Sequence, residues 1–364
     1  MVELPQELIE RIIDELNLLQ GNRKALFAAL SAARSFRIRA RLHLFQRIYL
    51  ANEQHFHKFD ELCKVSPSIL GIVRTIRVVI RPNHSQALLS LQAHPFPYLA
   101  ALEVDGWKDG YMCSELPRDD ALTLSSKNLS SLTLQYLFFP DSKSFCSCIQ
   151  SYPFLESLSL RSLDVPASIE DAHSYLGPPI RELSITCPNY GTCALFAGPS
   201  PRSSFGLQAL SKLRITQSSL CQISIIQHIL DAARSTLQEL HLCAIDPSIR
   251  EPQEILELSQ IPVIFFEPAG FRRANLKCMR YLVQCLQKST SSPAQLTIRM
   301  AFCNRIFEDL DSQGTWAFID SMPGTCLLLI FRLARDNKQM LVEKAASFLP
   351  HLHSTGRVVV QFES

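Results

Sequence analysis

The stretch Leu155-Glu-Ser-Leu-Ser-Leu160 carries the pattern that decides the fold. An apolar residue is followed three positions later by leucine or isoleucine, and two positions after that by another apolar residue. Six other segments repeat it: Val73-Arg-Thr-Ile-Arg-Val78, Leu99-Ala-Ala-Leu-Glu-Val104, Leu129-Ser-Ser-Leu-Thr-Leu134, Ile180-Arg-Glu-Leu-Ser-Ile185, Leu210-Ser-Lys-Leu-Arg-Ile215 and Leu237-Gln-Glu-Leu-His-Leu242. Their last residues stand at 78, 104, 134, 160, 185, 215 and 242, so the spacing stays between 25 and 30 residues. Seven copies at a nearly constant spacing indicate a repeat architecture.

Each repeat predicts one short strand, because strand side chains alternate between two faces and its last two apolar residues are two positions apart. Two of the segments between strands, Ser144–Ser151 and Gln222–Ser235, have helical patterns. One such unit cannot bury its own apolar face, so the units must stack. The spacing lies within or just above that of leucine-rich repeats. The sequence therefore predicts an α/β fold in which residues 49–364 form a leucine-rich-repeat-like solenoid of short parallel strands with helical or irregular returns.

The pattern is regular only to about residue 243. Beyond it, four strand-like segments lose the leucine spacing: Ile261-Pro-Val-Ile-Phe-Phe266, Gln295-Leu-Thr-Ile298, Cys326-Leu-Leu-Leu-Ile-Phe331 and Arg357-Val-Val-Val-Gln-Phe362. Asn337–Phe348 predicts the last helix. We interpret this part as degenerate repeats, with the final strand at the edge of the sheet.

Residues 1–48 predict a separate helical module. Pro5 suits a first helical residue, and the apolar stripe of the first helix then follows at helical spacing: Leu8, Ile9, Ile12, Ile13 and Leu16. Gly21 and Asn22 end this helix. A second helix is predicted over Arg23–Ser35 and a third over Arg37–Leu44. Residues 46–50 then switch to strand-type side chains.

This N-terminal region resembles the F-box motif. The resemblance rests on Leu4-Pro5-Gln-Glu7-Leu8-Ile9-Glu-Arg-Ile12-Ile13-Asp-Glu-Leu16 and on Ala29-Leu-Ser31-Ala-Ala33-Arg34-Ser35-Phe36-Arg-Ile-Arg-Ala-Arg-Leu-His-Leu-Phe45. Two positions depart from the family, which usually has cysteine at Ala33 and tryptophan at Phe36. The tail Arg39–Phe45, which leads into a strand and irregular leucine-rich repeats, is similar to many F-box proteins of mushroom-type fungi.

The resemblance implies a non-enzymatic role as the substrate-recognition adaptor of an SCF-type (Skp–cullin–F-box) E3 ubiquitin ligase. The module would dock on a Skp-type adaptor, and through it on a cullin–RING ligase, while the repeats hold a protein substrate. Carried over by position, the adaptor-facing residues are Leu4, Pro5, Leu8, Ile12, Leu16, Ala33 and Phe36. This role needs no catalytic residue, cofactor or metal in the chain. The alternative is a leucine-rich-repeat protein-binding scaffold outside any ligase, whose N-terminal module caps the repeats by burying the first-helix stripe.

Composition limits the other classes of function. The 364 residues are 47% hydrophobic and 19% charged with a net charge of +2, which is typical of a folded chain without a general attraction to nucleic acid or membrane. Residues 17–52 lack acidic side chains and carry seven basic ones, which favours a solvated face or an acidic protein partner over nucleic acid. The 12 cysteines, without a signal peptide or a long apolar segment, predict an intracellular protein, cytoplasmic and/or nuclear.

Aromatic residues that follow the strands are candidates for substrate binding. Trp107, Tyr111, Tyr136 and Phe138 lie where solenoid proteins form binding edges, although packing between repeats explains them equally. The pairs Cys146/Cys148 and Cys187/Cys193 lack zinc-ligand spacing, so no metal site is predicted.

Overall fold

The computed structural model describes the chain apart from residues 1–5, 19–22, 33, 81–90, 107–113, 116–123, 125, 127, 167–176, 187–191, 193–194, 197–205, 217–222, 246–254, 269–271, 302–306, 308–313, 333–337 and 364. The chain divides into two compact units. Unit 1 comprises Met1–Phe138 and Ser151–Leu155, and unit 2 comprises Phe139–Gln150 and Glu156–Ser364.

Unit 1 begins with three helices and continues with strands. Its helices are α1 (Gln6–Leu18), α2 (Arg23–Ala32), α3 (Arg34–Phe45) and α4 (Glu53–Val65). Its strands are β1 (Arg47–Leu50), β2 (Thr75–Ile80), β3 (Ala101–Gly106), β4 (Ser114–Glu115), β5 (Ser131–Gln135) and β6 (Leu137–Phe138). Strands β1, β2, β3 and β5 pair in that order, all parallel, and β4 pairs with β6. The predicted boundary at residue 48 falls inside β1, which therefore joins the helical module to the sheet of unit 1.

Unit 2 alternates strands and helices. Its strands are β7 (Ser157–Arg161), β8 (Glu182–Thr186), β9 (Lys212–Thr216), β10 (Glu239–Ile245), β11 (Val263–Pro268), β12 (Gln295–Ala301), β13 (Cys326–Arg332) and β14 (Val358–Glu363). Its helices are α5 (Ser142–Gln150), α6 (Ile223–Ala232), α7 (Arg272–Lys288), α8 (Thr315–Asp320), α9 (Lys338–Phe348) and α10 (Pro350–Ser354). The eight strands pair in chain order and all are parallel, so the sheet is open. The predicted α/β class with short parallel strands is confirmed.

Each of the seven repeated segments contributes one strand, and its three apolar positions are buried. The first position precedes the strand and is occupied by Val73, Leu99, Leu129, Leu155, Ile180, Leu210 and Leu237, all at most 2% exposed. The next two positions stack on their counterparts in the neighbouring strands, as in Leu158↔Leu183 and Leu183↔Leu213. The core therefore consists of rows of aliphatic side chains that run across the strands, because parallel pairing places equivalent residues side by side.

One hydrogen-bond arrangement recurs where successive strands begin. The carbonyl of Arg74 accepts the N–H groups of both Ala100 and Ala101, and the carbonyl of Ala100 accepts those of Ser130 and Ser131. In unit 2, the carbonyls of Glu156, Arg181 and Ser211 each accept two consecutive N–H groups in the same way. Two of these carbonyls also accept a hydrogen bond from a serine hydroxyl. Ser130 Oγ donates to the Ala100 carbonyl at 3.2 Å, and Ser211 Oγ donates to the Arg181 carbonyl at 3.1 Å. The first residues of β3, β5, β8, β9 and β10 are thereby fixed to the start of a preceding strand.

The pairing continues beyond residue 243, where the sequence pattern loosens. The register between β10 and β11 shifts between Cys243 and Ile245, which is a local irregularity, and β11 to β14 then continue in parallel. The predicted strands at 261–266, 295–298, 326–331 and 357–362 form, and β14 lies at the end of the strand order as expected.

The helices were predicted less completely. The expectation that Asn337–Phe348 is the last helix is wrong, because α10 follows α9. Pro350 lies in the first turn of α10, where its missing N–H costs nothing, and both carboxylate oxygens of Asp320 accept N–H groups from its first turn. Three further helices, α4, α7 and α8, were not predicted. In α4 the side chain of Asn52 caps the first turn by accepting the N–H of His55.

Candidate functional site

The three N-terminal helices have a small core of their own. Ile13 of α1, Leu26 of α2, and Ala40 and Leu44 of α3 are at most 3% exposed. The side chains of Ala29, Leu30, Phe36 and Phe45 are partly buried and pack against them. Phe36 therefore contributes to the inside of the module, and only the remaining part of its ring is open to a partner.

The first helix presents apolar side chains on its outer face as well. Leu8 and Ile12 are each 46% exposed, whereas the adjacent Ile13 is 1% exposed. Leu8 and Ile12 lie one helical turn apart and so share a face, while the next residue is rotated by about 100° towards the module core. The apolar stripe predicted for this helix is thus divided between an inner and an outer side. We call Leu8 and Ile12 the outer pair.

Further apolar side chains of the module are exposed on the other two helices. Phe27 on α2 is 55% exposed, and on α3 Ile38 and Leu42 are 76% and 37% exposed. Ile38 and Leu42 are again one turn apart, so α3 also has an outer apolar pair. Scattered apolar residues are ordinary on protein surfaces, but five in a module of three short helices are a large share of its apolar side chains.

An ion-pair cluster that sequence reasoning missed holds α1 against α3. Arg39 Nε and Nη2 donate to the two carboxylate oxygens of Asp14 at 2.7 and 2.8 Å, and His43 Nε2 lies 2.6 Å from Asp14 Oδ1. The hydrogen bond from Arg39, and to a smaller extent the one from His43, holds the pKa of the Asp14 carboxyl well below its usual range. The spacing of Arg39 and His43, one turn apart on one helix, was the available signal.

The basic stretch of residues 17–52 is partly engaged in contacts within the chain. Arg39 binds Asp14, Arg37 Nε donates to the Leu30 carbonyl at 3.2 Å, and Arg41 donates to the hydroxyls of Ser66 and Ser68 at 2.6 and 3.0 Å. These side chains are accordingly less available to a nucleic acid. The Arg41 contacts also fix α3 to the turn that follows α4.

Several residues expected to face an adaptor or a substrate lie outside the description. Leu4, Pro5, Ala33, Trp107 and Tyr111 are not among the described residues. Leu16 lies in α1, but its side chain is not described.

Two of the predicted substrate-binding residues are described. Tyr136 directly precedes β6 and Phe138 is the last residue of β6, and both are half-buried. Tyr136 has a positive φ of 55°, and its carbonyl oxygen lies where a side chain at Gly106 would begin. Each side chain is therefore partly packed within the protein and partly accessible to solvent.

An open cavity of about 660 Å³ lies in unit 2 between α8, α9 and α10. Asp320 and His351 line it, but the carboxylate of Asp320 is already occupied by the N–H groups of His351 and Leu352, at 3.1 and 2.8 Å. The geometry thus explains Asp320 as a helix cap.

Cysteine side chains are mostly buried where the structure describes them. Cys63, Cys146 and Cys285 are buried, and burial raises the pKa of each thiol to about 11, whereas Cys326 is exposed. Among the described residues no three His, Cys, Asp or Glu side chains are grouped as metal ligands. No helix in the described part of the chain combines the length and apolar character that crossing a membrane requires.

Comparison with protein-family models found no match to this chain, and comparison with curated proteins found no similar sequence.

Proposed function

We propose that this protein is the substrate-recognition adaptor of an SCF-type ubiquitin ligase, with residues 1–48 as an F-box and the repeats as a leucine-rich-repeat-like solenoid. The outer pair Leu8 and Ile12 is the observation that carries the proposal. Both side chains belong to the residues that the F-box resemblance assigns to the adaptor interface, and both are 46% exposed although the module has a core to bury them in.

The exposure of the outer pair supports an interface at this helix rather than burial of the stripe in a cap. A module that only capped the repeats would bury its first-helix stripe against the first strand region. Instead, α1 directs Ile13 inward and leaves Leu8 and Ile12 open. Exposed apolar side chains of this kind lose contact with water when a partner covers them, which supplies the free energy of docking.

The repeat register supports the solenoid part of the proposal. Equivalent leucines stack from strand to strand, and the carbonyl that precedes one strand accepts two N–H groups from the next. Solenoid proteins use such stacks to present a long, rigid surface to another protein. In an SCF-type ligase the surface would hold a substrate near the ubiquitin-transfer machinery and raise its effective concentration there, so this chain itself would perform no chemistry.

A second candidate is a protein-binding scaffold that acts outside any ligase. Arg41 binds Ser66 and Ser68, and β1 pairs with β2, so the module is joined to the region that follows it. These contacts are those of a terminal cap, which every solenoid needs at its ends. The two candidates differ in one property, which is binding of a Skp-type adaptor.

Pull-down of a purified Skp-type adaptor by the full chain tests the proposal. The variants Leu8→Asp and Ile12→Asp place a charge in the outer pair, and Val65→Asp, at an 85% exposed position of α4, is the matched control. Aspartate at position 8 lies near the N-terminus of α1, where the helix dipole favours it, so the helix is retained. We expect the unchanged chain and Val65→Asp to recover the adaptor, and both box variants to lose it.

Circular dichroism and thermal melting of the same samples show whether each variant is folded. Absence of adaptor binding by the unchanged chain refutes the ligase assignment and leaves the scaffold. Retained binding in both folded box variants refutes the assignment of the interface to the outer pair.

A further inference from the structure

Three neighbouring strands of unit 2 present an unusual set of side chains on their solvated face. In β7, β8 and β9 every second residue is buried, and the residues between them point to the opposite face. The last two solvated positions of each strand carry only hydroxyl and guanidinium groups: Ser159 and Arg161, Ser184 and Thr186, Arg214 and Thr216. No carboxylate occupies these six positions.

The strand register arranges the six side chains in two rows. Ser159, Ser184 and Arg214 pair in one row, and Arg161, Thr186 and Thr216 pair in the next. The two arginines stand at opposite corners with the hydroxyls between them. We call this set the Arg214 patch. Guanidinium and hydroxyl groups together are suited to bind an oxyanion, because all of them donate hydrogen bonds.

The charged residues around the patch are largely neutralised by one another. Lys212 lies 3.0 Å from Glu239, and His241 also contacts Glu239. By contrast, Arg214 is exposed and has no ion pair with a carboxylate within the part of the chain that the structure describes. Two further carboxylates lie on this face near the patch: Glu182 is in the row of Lys212, and Glu267 is in the row of Thr216, two strands beyond it.

Two more arginines follow on the later strands of this sheet, and both are paired. Arg299 and Arg332 each bind Glu267 and Glu363. Arg214 therefore remains available to a negative group from outside.

The row of Arg214 becomes apolar towards the end of the sheet. The register continues from Arg214 through His241 to Phe265, then through Thr297 to Leu328 and Val359. Phe265 and Leu328 are half-buried, Thr297 between them is buried at 4% exposure, and Val359 is 50% exposed. The His241 ring stacks on Phe265 with ring centroids 5.0 Å apart. One face of unit 2 thus joins a cationic, hydroxyl-rich end to an apolar end.

The strand spacing sets the length of a ligand that would reach both ends. Leu328 is four strands from Arg214, which is about 19 Å at about 4.8 Å per strand. An extended peptide advances about 3.3 Å per residue, so it covers this distance in about six residues. Residues six positions apart in an extended peptide lie on the same side, so both side chains can face the sheet.

We propose that this face of unit 2 binds an extended protein segment carrying an acidic side chain, held by Arg214, and an apolar side chain about six residues away, held near Leu328. The charge of the patch favours a negatively charged side chain, and the half-buried apolar residues favour an apolar second side chain. The identity of the ligand as a protein substrate rests on the proposed function, but its chemistry follows from this face alone.

Fluorescence anisotropy with the purified full chain tests the inference. The probe is a labelled peptide library with a fixed aspartate and a fixed leucine at the derived separation and degenerate neutral residues elsewhere. Matched libraries replace the aspartate by lysine or phosphoserine, or the leucine by serine. We expect the aspartate–leucine library to bind more tightly than the lysine and serine libraries. Arg214→Ala should weaken this binding by about tenfold, the loss of one charge-assisted contact.

Matched variants locate the site. Arg181→Ala removes an exposed arginine of the same unit that is paired with Glu156 and lies outside the patch, so binding should persist. Leu328→Ser should weaken binding of the leucine library and leave that of the serine library unchanged. Equal effects of Arg214→Ala and Arg181→Ala overturn the location, and binding of the phosphoserine library alone overturns the carboxylate.

Adaptor pull-down by Arg214→Ala, measured in parallel, separates the two proposals. Adaptor recovery with no peptide binding by the unchanged chain refutes this inference alone. Peptide binding without adaptor recovery refutes the ligase assignment alone.

Discussion

Ile12 and Ile13 are neighbours of the same residue type on one helix, and they offer a direct test of the helical module. Ile13 is 1% exposed in the module core, and Ile12 is 46% exposed in the outer pair. Ile13→Ala removes three buried carbons at about 0.8 kcal/mol each, so we expect the free energy of unfolding of the module to fall by about 2.4 kcal/mol. The cavity left behind raises this loss, and the higher helix propensity of alanine lowers it by about 0.5 kcal/mol, so the total stays within the usual range of about 2–5 kcal/mol.

Ile12→Ala should change the stability much less. About half of this side chain is exposed in the folded protein, so less buried area is lost. Alanine also has the higher helix propensity, which offsets about 0.5 kcal/mol of the loss in unfolding free energy. The cost of this change appears instead in the adaptor complex. Covering the exposed part of Ile12 is worth about 1 kcal/mol, so adaptor affinity should fall about fivefold or more.

Hydrogen exchange followed by mass spectrometry measures both changes on peptides from α1, α2 and α3. A loss of about 2.4 kcal/mol corresponds to about 50-fold faster exchange through opening of the module. In Ile12→Ala, the exchange rates of the same peptides should stay within about threefold of those of the unchanged chain. Peptides from β7 to β14 serve as the internal control. Equal acceleration by the two variants would refute the division of the stripe into an inner and an outer side.

Three other outcomes follow from the contacts of the described residues. Asp14→Asn should destabilise the module at neutral pH and have a shrinking effect as the pH falls below about 4, because a lowered carboxyl pKa stabilises the fold only while the carboxylate is charged; urea unfolding of both chains across that range measures it. Gly106→Ala should lower the melting temperature and reduce the free energy of unfolding by about 1–3 kcal/mol, because the new carbon would lie 1.9 Å from the Tyr136 carbonyl oxygen. Thiol labelling of the native chain, mapped by mass spectrometry, should modify Cys326 and spare Cys285, whose thiol is buried and has a pKa raised to about 11.

The strands were predictable from the sequence because their signal is local. In Leu155–Leu160 and its equivalents, every apolar position that the pattern identifies is buried, and the spacing of the copies predicted the parallel order. The helices between the strands carry a signal as well, which was read only in part. In α7, Met279, Leu282 and Leu286 are buried at helical spacing, so the pattern was available.

The contacts between elements could not be predicted in the same way. Asp14 and Arg39 are far apart in sequence, and only the packing of α1 on α3 brings them together. The same holds for the Arg214 patch, since single residues such as Ser159 and Thr216 have no distinctive sequence context. Their significance follows from the register, which places them side by side.

The doubly accepting carbonyls at the start of successive strands have a consequence for how this protein can change over time. They fix where a strand begins by reference to the strand before it, and they recur although the segments that join the strands differ in length. Insertions and deletions in those segments therefore leave the ladder unchanged, and the observed steps of 25 to 30 residues show that their length already varies. The segments between strands can therefore change in sequence and length while the strands keep their pairing. New partners could be acquired in this way without a change in the sheet.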